Sequence, residues 1–326
     1  MAAKQGVHYL VAIRVIEGCF GGLSFPSINT VYAKWAPPTE RSKMSGFGIS
    51  GCFVGTVVAM LASGSLAVHF GWESIFYCFG IIGLIWWIMW FLLVKESPEN
   101  DQYISDFERN FIKNSLVRKG TTNVSKPPWK SMFTSKPIIA IAVAHFSYTW
   151  GYYTLLTQLP TYLKGENTFN VNLILRPISF LDMLHFEIEK TGFIAAVPYV
   201  VMAILLFVSG YLADWFQINR YLSTTQVRKY FNNLSFLSQM IFLLLAGYFT
   251  NQAVVLTCLT LSVGLGAFSI SGYMANPLDI APQFSSIIMG MSNTFATVPG
   301  LISPILTGYI VTTPVSIIKF ISILVN

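Results

Sequence analysis

The feature that most constrains this chain is a series of eight apolar blocks, most of them long enough to cross a bilayer. They occupy residues 7–31, 44–68, 74–94, 138–159, 192–213, 234–249, 253–275 and 286–311. A hydrocarbon core about 30 Å thick is crossed by roughly 20 helical residues, which rise 1.5 Å each. Block 234–249 is short for a span, so we expect it to extend into its flanks. The pattern predicts an all-α fold, a polytopic transmembrane helix bundle of about eight spans.

Composition supports a lipid environment. Hydrophobic residues make up 54% of the 326 residues and charged residues only 10%, against roughly 25% charged in ordinary soluble domains. The formal net charge is +6, but the basic residues are scattered between apolar blocks rather than gathered on one soluble face. A nucleic-acid partner is therefore not expected, and the basic residues are better explained by membrane topology.

The distribution of Lys and Arg predicts the orientation of the spans. The loops after the first, third and fifth spans hold 14 of the 20 basic residues, eight of them in the long polar stretch 95–137. Because cytosolic loops carry the excess of basic residues, these loops should be cytosolic. The first residues would then lie on the opposite side, and we expect an odd number of further spans upstream.

Arg14 and Glu17 are the residues that stand out within the predicted spans, because both are charged and lie well inside the first block. A charge at the bilayer centre costs about 2.5 to 3.5 kcal/mol on insertion scales and usually faces a polar cavity. Three residues apart on a helix, the two side chains share a face and can pair. They form either a structural ion pair or a site in which the Arg14 guanidinium binds an oxyanion and Glu17 tunes it.

The fourth block carries polar and aromatic side chains at helical spacing, including His145 and Tyr148. These residues could line the same cavity as Arg14, or they could pack in the helix core. His145 taken alone is either a hydrogen-bonded core histidine or a proton carrier.

Motifs for enzymatic chemistry are missing from the sequence. We find no zinc-protease motif, P-loop or nucleophile elbow, and no cofactor is expected. Gly46, Gly48 and Gly51 match G-x-G-x-x-G, but they lie inside an apolar block with no strand before them, so they predict close helix packing. An enzyme is not expected; a receptor is not excluded by any motif, although a large central linker fits a two-half transporter better.

Several local strings carry a more specific signal. They are RVIEG (14–18), FPSINTVYAKWAPPTERSK (25–43), GWESIFYCFG (71–80), VAHFSYTWGYYTLLTQLPTYL (143–163), LSTTQVRKYFN (222–232), SGYMANPLDIAP (271–282) and MGMSNTFATVPG (289–300). This set resembles the anion and phosphate cotransporters of the major facilitator superfamily, the group that includes sialin-like, type I sodium-phosphate and vesicular glutamate transporters. The resemblance covers nearly the whole chain.

The resemblance implies a partial major facilitator fold, with about eight of the family's twelve spans. Residues 1–94 would be the end of the N-terminal half-bundle (spans four to six), 95–137 a cytosolic linker, and 138–326 the C-terminal half-bundle (spans seven to eleven). The missing first three spans agree with the orientation derived from charge. Segments 171–185 and 315–326 depart from the family pattern, and we interpret both as translated intron sequence.

The resemblance also assigns roles to individual residues. Arg14 would bind substrate, and Glu17 would couple the ion. With His145 and Tyr148 of the fourth block, and with Asn276, Arg14 would complete the expected substrate site. The string GYLADW with its basic partners is similar to the superfamily's gating signature, which assigns gating to Asp214, Arg220 and Arg228. Gly21 stands where relatives carry a coupling glutamate, and Pro277 where many carry histidine. Tyr148 replaces an arginine of the vesicular glutamate transporters, which favours the sialin-like or phosphate-like branch.

The function implied is a secondary active symporter of small organic or inorganic anions that works by alternating access. Its partners would be a small anionic solute, a co-transported proton or sodium ion and the lipid bilayer, with no obligate protein partner. The membrane would be the plasma membrane or that of a lysosome or vesicle. The alternative is a truncated product of such a transporter that does not itself transport.

Overall fold

The computed structural model describes residues 6–117, 126–164, 188–249 and 252–310. Within these ranges every regular element is helical. The α-helices are α1 (Val7–Gly21), α2 (Ser24–Trp35), α3 (Arg41–Phe70), α4 (Glu73–Leu93), α5 (Asp106–Val117), α6 (Trp129–Thr134), α7 (Lys136–Lys164), α8 (Ile188–Ile218), α9 (Thr224–Tyr248), α10 (Gln252–Leu265), α11 (Ala267–Ser269), α12 (Asn276–Ile280) and α13 (Ser285–Ile310). Segments 171–185 and 315–326, which we interpret as translated intron sequence, lie outside the described residues.

Six stretches of the described residues are long and apolar enough to cross a membrane by length and composition. They are Val7–Trp35, Arg41–Ala67, Glu73–Leu93, Ala195–Ile218, Thr224–Tyr248 and Ala253–Ile280. The other two predicted spans, 138–159 and 286–311, fall on α7 and α13, which have 29 and 26 residues and are also of spanning length. Both helices bury polar side chains, among them His145, Thr154, Ser292 and Ser303, which lowers their hydropathy.

The first, sixth and seventh spans differ in extent from the apolar blocks of the sequence. The first block is divided between α1 and α2 around Gly22 and Leu23. The short sixth block extends backward as expected, since α9 begins at Thr224 with a capping box between Ser223 and Gln226. Arg228 was expected in a loop and instead lies in the second turn of this helix. The seventh span continues to Ile280 rather than ending at 275, so it includes Asp279.

The centre of the bundle is the long contact between α3 and α8. The helix α13 packs between α7 and α2, while α9 and α8 both pack on α10. Two side-chain hydrogen bonds, His145–Ser292 and Thr154–Ser303, join α7 and α13 at two positions along their length. By contrast, α4 buries none of its residues and α1 packs extensively on no other described helix.

Close approach of α3 and α8 depends on two glycines. A Cβ atom added at Gly46 would lie 2.8 Å from the carbonyl oxygen of Leu206, and one added at Gly210 would lie 2.8 Å from that of Ser42. Both obstacles are backbone atoms. The predicted packing role is therefore confirmed for Gly46, whereas a Cβ at Gly51 would meet nothing within 4 Å. A glycine on each helix lets the two backbones touch.

At the predicted cytosolic edge, the end of α2 is tied to the start of the linker. Lys34 Nζ donates to Glu96 Oε1, and Trp35 Nε1 donates to the carbonyl of Lys95 at 3.3 Å. The Lys34 ammonium lowers the pKa of the exposed Glu96 carboxyl, first through the hydrogen bond and then through its charge. These contacts set the linker beside the ends of α2 and α4.

Candidate functional site

The first turn of α3 is the centre of a buried charge network, which we define as Arg41, Ser42, Asp214, Arg228 and Asp279. Four separate elements contribute: α3 supplies Arg41 and Ser42, and α8, α9 and α12 supply one residue each. Arg41, Asp214 and Arg228 are 1%, 2% and 5% exposed. Charges this deeply buried require partners, because desolvation penalises each of them.

Asp214 caps the N-terminus of α3. Its carboxylate accepts the backbone N–H of Ser42 at 3.2 Å and that of Lys43 at 2.8 Å. The first N–H groups of a helix have no partner within the helix, and the helix dipole favours a negative charge there. Asp214 lies near the end of α8, so its hydrogen bonds connect the end of α8 to the start of α3.

Asp279 is shared by two buried arginines. Arg228 Nε donates to Asp279 Oδ2 at 2.9 Å, and Arg41 Nη1 lies 3.3 Å from Asp279 Oδ1. The same Arg228 side chain donates through Nη1 to Ser42 Oγ at 2.7 Å and to the Ser271 carbonyl at 2.6 Å. Arg41 also donates to the carbonyl of Leu278. One carboxylate, two backbone carbonyls and the Ser42 hydroxyl thus compensate two guanidinium groups.

A π-helical turn, Ile270–Met274, lies between the charge network and the middle of the bundle. Such turns are rare and occur frequently at functional sites. The Ser271 carbonyl of this turn accepts from Arg228, and its hydroxyl is 3.1 Å from Ser209 Oγ on α8. Tyr273, two residues after Ser271, contacts the rings of His145 and Tyr148 in the middle of the bundle. The turn therefore connects the network with the buried polar centre.

The buried polar centre is built by His145 and Tyr273. Nδ1 of His145 is 2.6 Å from Ser292 Oγ, and its ring centroid lies 5.0 Å from that of Tyr273. Tyr273 also contacts Tyr148, at 5.9 Å between centroids. Further rings continue the cluster toward α3 and α8: Tyr152, Tyr199 and Phe53.

This aromatic cluster lines a cavity of about 10 Å³. Its lining residues are Tyr148, Tyr152, Leu155, Tyr199, Gln239 and Val263. This is close to the minimum volume for one water molecule. The Tyr199 hydroxyl is buried without a hydrogen-bond partner. An anion could enter this cavity only if its lining side chains moved apart.

Arg14 and Glu17 lie on α1, and they form the predicted ion pair, with Arg14 Nη1 2.9 Å from Glu17 Oε2. Their side chains are 52% and 63% exposed. The Arg14 guanidinium carbon lies 5.2 Å from the ring centroid of Phe76 on α4, a cation–π geometry. Among the described residues, no hydrogen bond or ion pair joins Arg14 to His145 or Tyr148, so the structure does not bring these predicted substrate ligands together.

The remaining predicted site residues are divided. Asn276 is half-buried at the start of α12, directly after the π-helical turn. Of the three predicted gating residues, Asp214 and Arg228 both belong to the charge network. Arg220 is exposed at the turn between α8 and α9, with a left-handed φ of 58°, and has no ion pair within the described residues.

Sequence reasoning missed Arg41 and Asp279 as members of the site. Arg41 was assigned to a basic cytosolic loop, and the seventh span was ended before Asp279. The sequence did contain a signal for Asp279, because this single acidic residue lies just after the end of an otherwise apolar block. No signal for their pairing was present, because the two residues are 238 positions apart. In the parts that the structure describes, no cluster of His, Cys, Asp or Glu could hold a metal ion.

The sequence model of the Major Facilitator Superfamily matches residues 1–304, so the chain belongs to this superfamily and is a multi-pass membrane protein. It is 39% identical over 307 residues to sialin of Ovis aries and 36% identical over the same length to sialin of Homo sapiens. It is 37% identical over 308 residues to vesicular glutamate transporter 2 of Bos taurus.

These alignments cover 94%, 94% and 93% of this chain, but only 58% of each sialin and 50% of the glutamate transporter. The chain thus spans about half the length of the relatives it matches. The predicted resemblance and the all-α, partial major facilitator fold are confirmed. The relatives include a protein named as a transporter, which fits the expectation that this chain is not an enzyme.

Proposed function

We propose that this chain is part of a secondary active transporter for small organic or inorganic anions. The relatives that it matches include proteins named as vesicular glutamate transporters, and glutamate is a small anion. The proposal concerns the complete assembly, since the chain spans about half the length of those relatives. Transport of this kind needs alternating access to a site near the bilayer midplane and no covalent chemistry.

The observation that carries the proposal is the charge network. A transporter must close one side of the membrane while the other is open, and that closure must be reversible. Hydrogen bonds and ion pairs hold the first turn of α3 against Asp214, Arg228 and Asp279. Polar contacts of this kind can break and reform, because water on the open side replaces the lost partners. We infer that the network is the closed cytosolic gate.

The proposed domain division follows from the same contacts. Residues 1–94 would belong to the N-terminal half, 95–137 to a cytosolic linker and 138–326 to the C-terminal half. Under this division the α3–α8 and α2–α13 contacts cross between halves. Asp214 and Arg228 would act as gating residues, and the exposed Arg220 would act through the turn that it occupies.

The proposed substrate site combines the predicted ligands on both sides of that boundary. Arg14 would bind the anion with its planar guanidinium fork, while His145, Tyr148 and Asn276 would contact it from the C-terminal half. Glu17, which already holds Arg14 at 2.9 Å, would release it when a co-transported ion arrives. The coupling ion would be a proton or sodium, and the aromatic cluster would open as the anion enters.

Replacing Arg14 with alanine is expected to reduce anion uptake to background, because no other described Lys or Arg lies within the middle of a span. Uptake of labelled glutamate and of phosphate would be measured in proteoliposomes, with a form extended to the length of the relatives. Arg14→Lys should restore only part of the uptake, since an ammonium cannot make the bidentate contact.

The linker variant Lys113→Ala, at a side chain that is 58% exposed, provides the control and should leave uptake unchanged. Membrane insertion of all variants would be checked by carbonate extraction. Wild-type uptake by Arg14→Ala would contradict the proposed substrate site, and absence of uptake of every anion by the extended form would contradict the transport assignment.

A second candidate is that the chain as written inserts into the membrane without transporting. The position of the Arg14–Glu17 pair favours it, because both side chains are more than half exposed on α1. In a bilayer an ion pair is not stably placed against hydrocarbon, so another helix is needed to cover this face. The proteoliposome assay with the exact 326-residue chain separates the two candidates.

A further inference from the structure

A groove of about 510 Å³ runs between α7 and α9, outside the gate and outside the aromatic cluster. Its wall on α7 is formed by Lys136, Ile139, Ala140, Val143, Ala144 and Ser147, and its wall on α9 by Asn232 and Phe236. The α7 residues recur at three and four positions, which places them on one face of the helix. Apart from its ends and Asn232, the groove is apolar.

The shape of the groove suits an extended chain rather than a helix. From position 136 to 147 a helix rises about 16 Å, so the empty space of about 860 Å³ along the groove corresponds to a mean cross-section of roughly 50 Å². A helix with its side chains is about 10–12 Å wide and needs roughly 80–110 Å². A hydrocarbon chain is narrow enough to fill the groove along its length.

The mouth of the groove lies at the level of lipid headgroups. The short helix α6 ends at Thr134, with one residue between it and α7, and exposes the stacked rings of Trp129 and Phe133. Aromatic side chains of this kind concentrate at membrane interfaces. Lys136 is exposed at the first position of α7 and lines this end of the groove. Charge topology places this end on the cytosolic side, where anionic lipids attract basic side chains.

We propose that the groove is a binding site for an anionic glycerophospholipid, with one acyl chain between α7 and α9 and the headgroup phosphate on Lys136. The site is independent of the anion-transport site, because none of its residues belongs to the charge network or the aromatic cluster. A bound lipid would hold α9, which carries Arg228, beside α7, which carries His145.

The test uses the 326-residue chain in phosphatidylcholine vesicles that contain a trace of lipid with a photoreactive acyl chain. The photoreactive lipid is either phosphatidylserine or phosphatidylcholine, and adducts are mapped by mass spectrometry. We expect labelling to concentrate on residues 136–147 and 232–236, with phosphatidylserine favoured about fivefold, the ratio for one basic side chain near an anionic headgroup at about 1 kcal/mol.

Two variants separate the headgroup from the acyl chain. Lys136→Gln should abolish the preference for phosphatidylserine while leaving phosphatidylcholine labelling in place. Ala140→Phe with Ala144→Phe should fill the groove and reduce labelling by both lipids severalfold. As matched controls, Lys113→Gln on α5 and Ala12→Phe on α1 should change neither result, because neither residue lines the groove.

Three outcomes would overturn the proposal. Labelling that is uniform over the apolar surface would indicate ordinary surrounding lipid. A preference for phosphatidylserine that survives Lys136→Gln would assign the charge recognition elsewhere. A benzophenone side chain placed at Val143 that crosslinks to another copy of the chain, with no lipid adduct in the groove, would identify a protein helix as the occupant. None of these readouts requires transport activity.

Discussion

Asp279→Asn is expected to destabilise the protein by about 3–5 kcal/mol and to open its predicted cytosolic side, because the substitution removes the carboxylate that forms ion pairs with two buried guanidinium groups. Arg41 and Arg228 are 1% and 5% exposed. Asp279 is the acidic partner of both within the described residues. The neutral amide has nearly the size of the carboxylate, so the loss of stability measures the effect of removing the negative charge. Thermal unfolding in detergent and thiol labelling of a cysteine placed at Ser42 would measure the two effects.

A matched control is available in the linker. Asp106 and Arg109 form an ion pair of 2.7 Å on α5, but the Asp106 side chain is 90% exposed. Exposed pairs contribute about 0–1 kcal/mol, since water solvates each charge well. Asp106→Asn should therefore leave both the unfolding temperature and the Ser42→Cys labelling rate nearly unchanged. Equal effects of the two substitutions would show that Asp279 does not stabilise the buried arginines.

Sequence reasoning predicted the parts of this molecule that depend on local pattern. Spans follow from runs of apolar residues, and the Arg14–Glu17 pair follows from a separation of three on one helix. The packing role of Gly46 follows from small residues within a span. In each case the physical cause lies within a few residues, so the sequence contains the whole signal.

The charge network could be predicted only in part, because its geometry depends on residues distant in sequence. Asp214 and Arg228 were identified through resemblance to a gating signature. Their shared partner Ser42 lies more than 170 positions away and has no distinctive sequence context. The π-helical turn Ile270–Met274 was not predicted either, since a single inserted residue in a helix leaves the apolar pattern almost unchanged.

Gly46→Leu is expected to have the second large effect, because it would force α3 and α8 apart. Even the Cβ atom alone would lie 2.8 Å from the Leu206 carbonyl oxygen, and backbone cannot move aside as a flexible side chain can. Overpacking of this kind costs about 1–3 kcal/mol and sometimes more. The separated helices would also lose the hydrogen bonds from Ser42 and Lys43 to Asp214. Unfolding temperature and Ser42→Cys labelling again measure the result.

Gly51 and Gly55 provide a control on the same helix. A Cβ atom at either position would meet nothing within 4 Å, so alanine there should stabilise the protein by about 0.5–1 kcal/mol through the lower conformational entropy of the unfolded chain. Gly46→Ala should instead destabilise it. Opposite signs for the same chemical change, nine or fewer residues apart on one helix, would attribute the effect to the α3–α8 contact. The same sign at all three positions would exclude that contact as the cause and remove the link between helix packing and the gate.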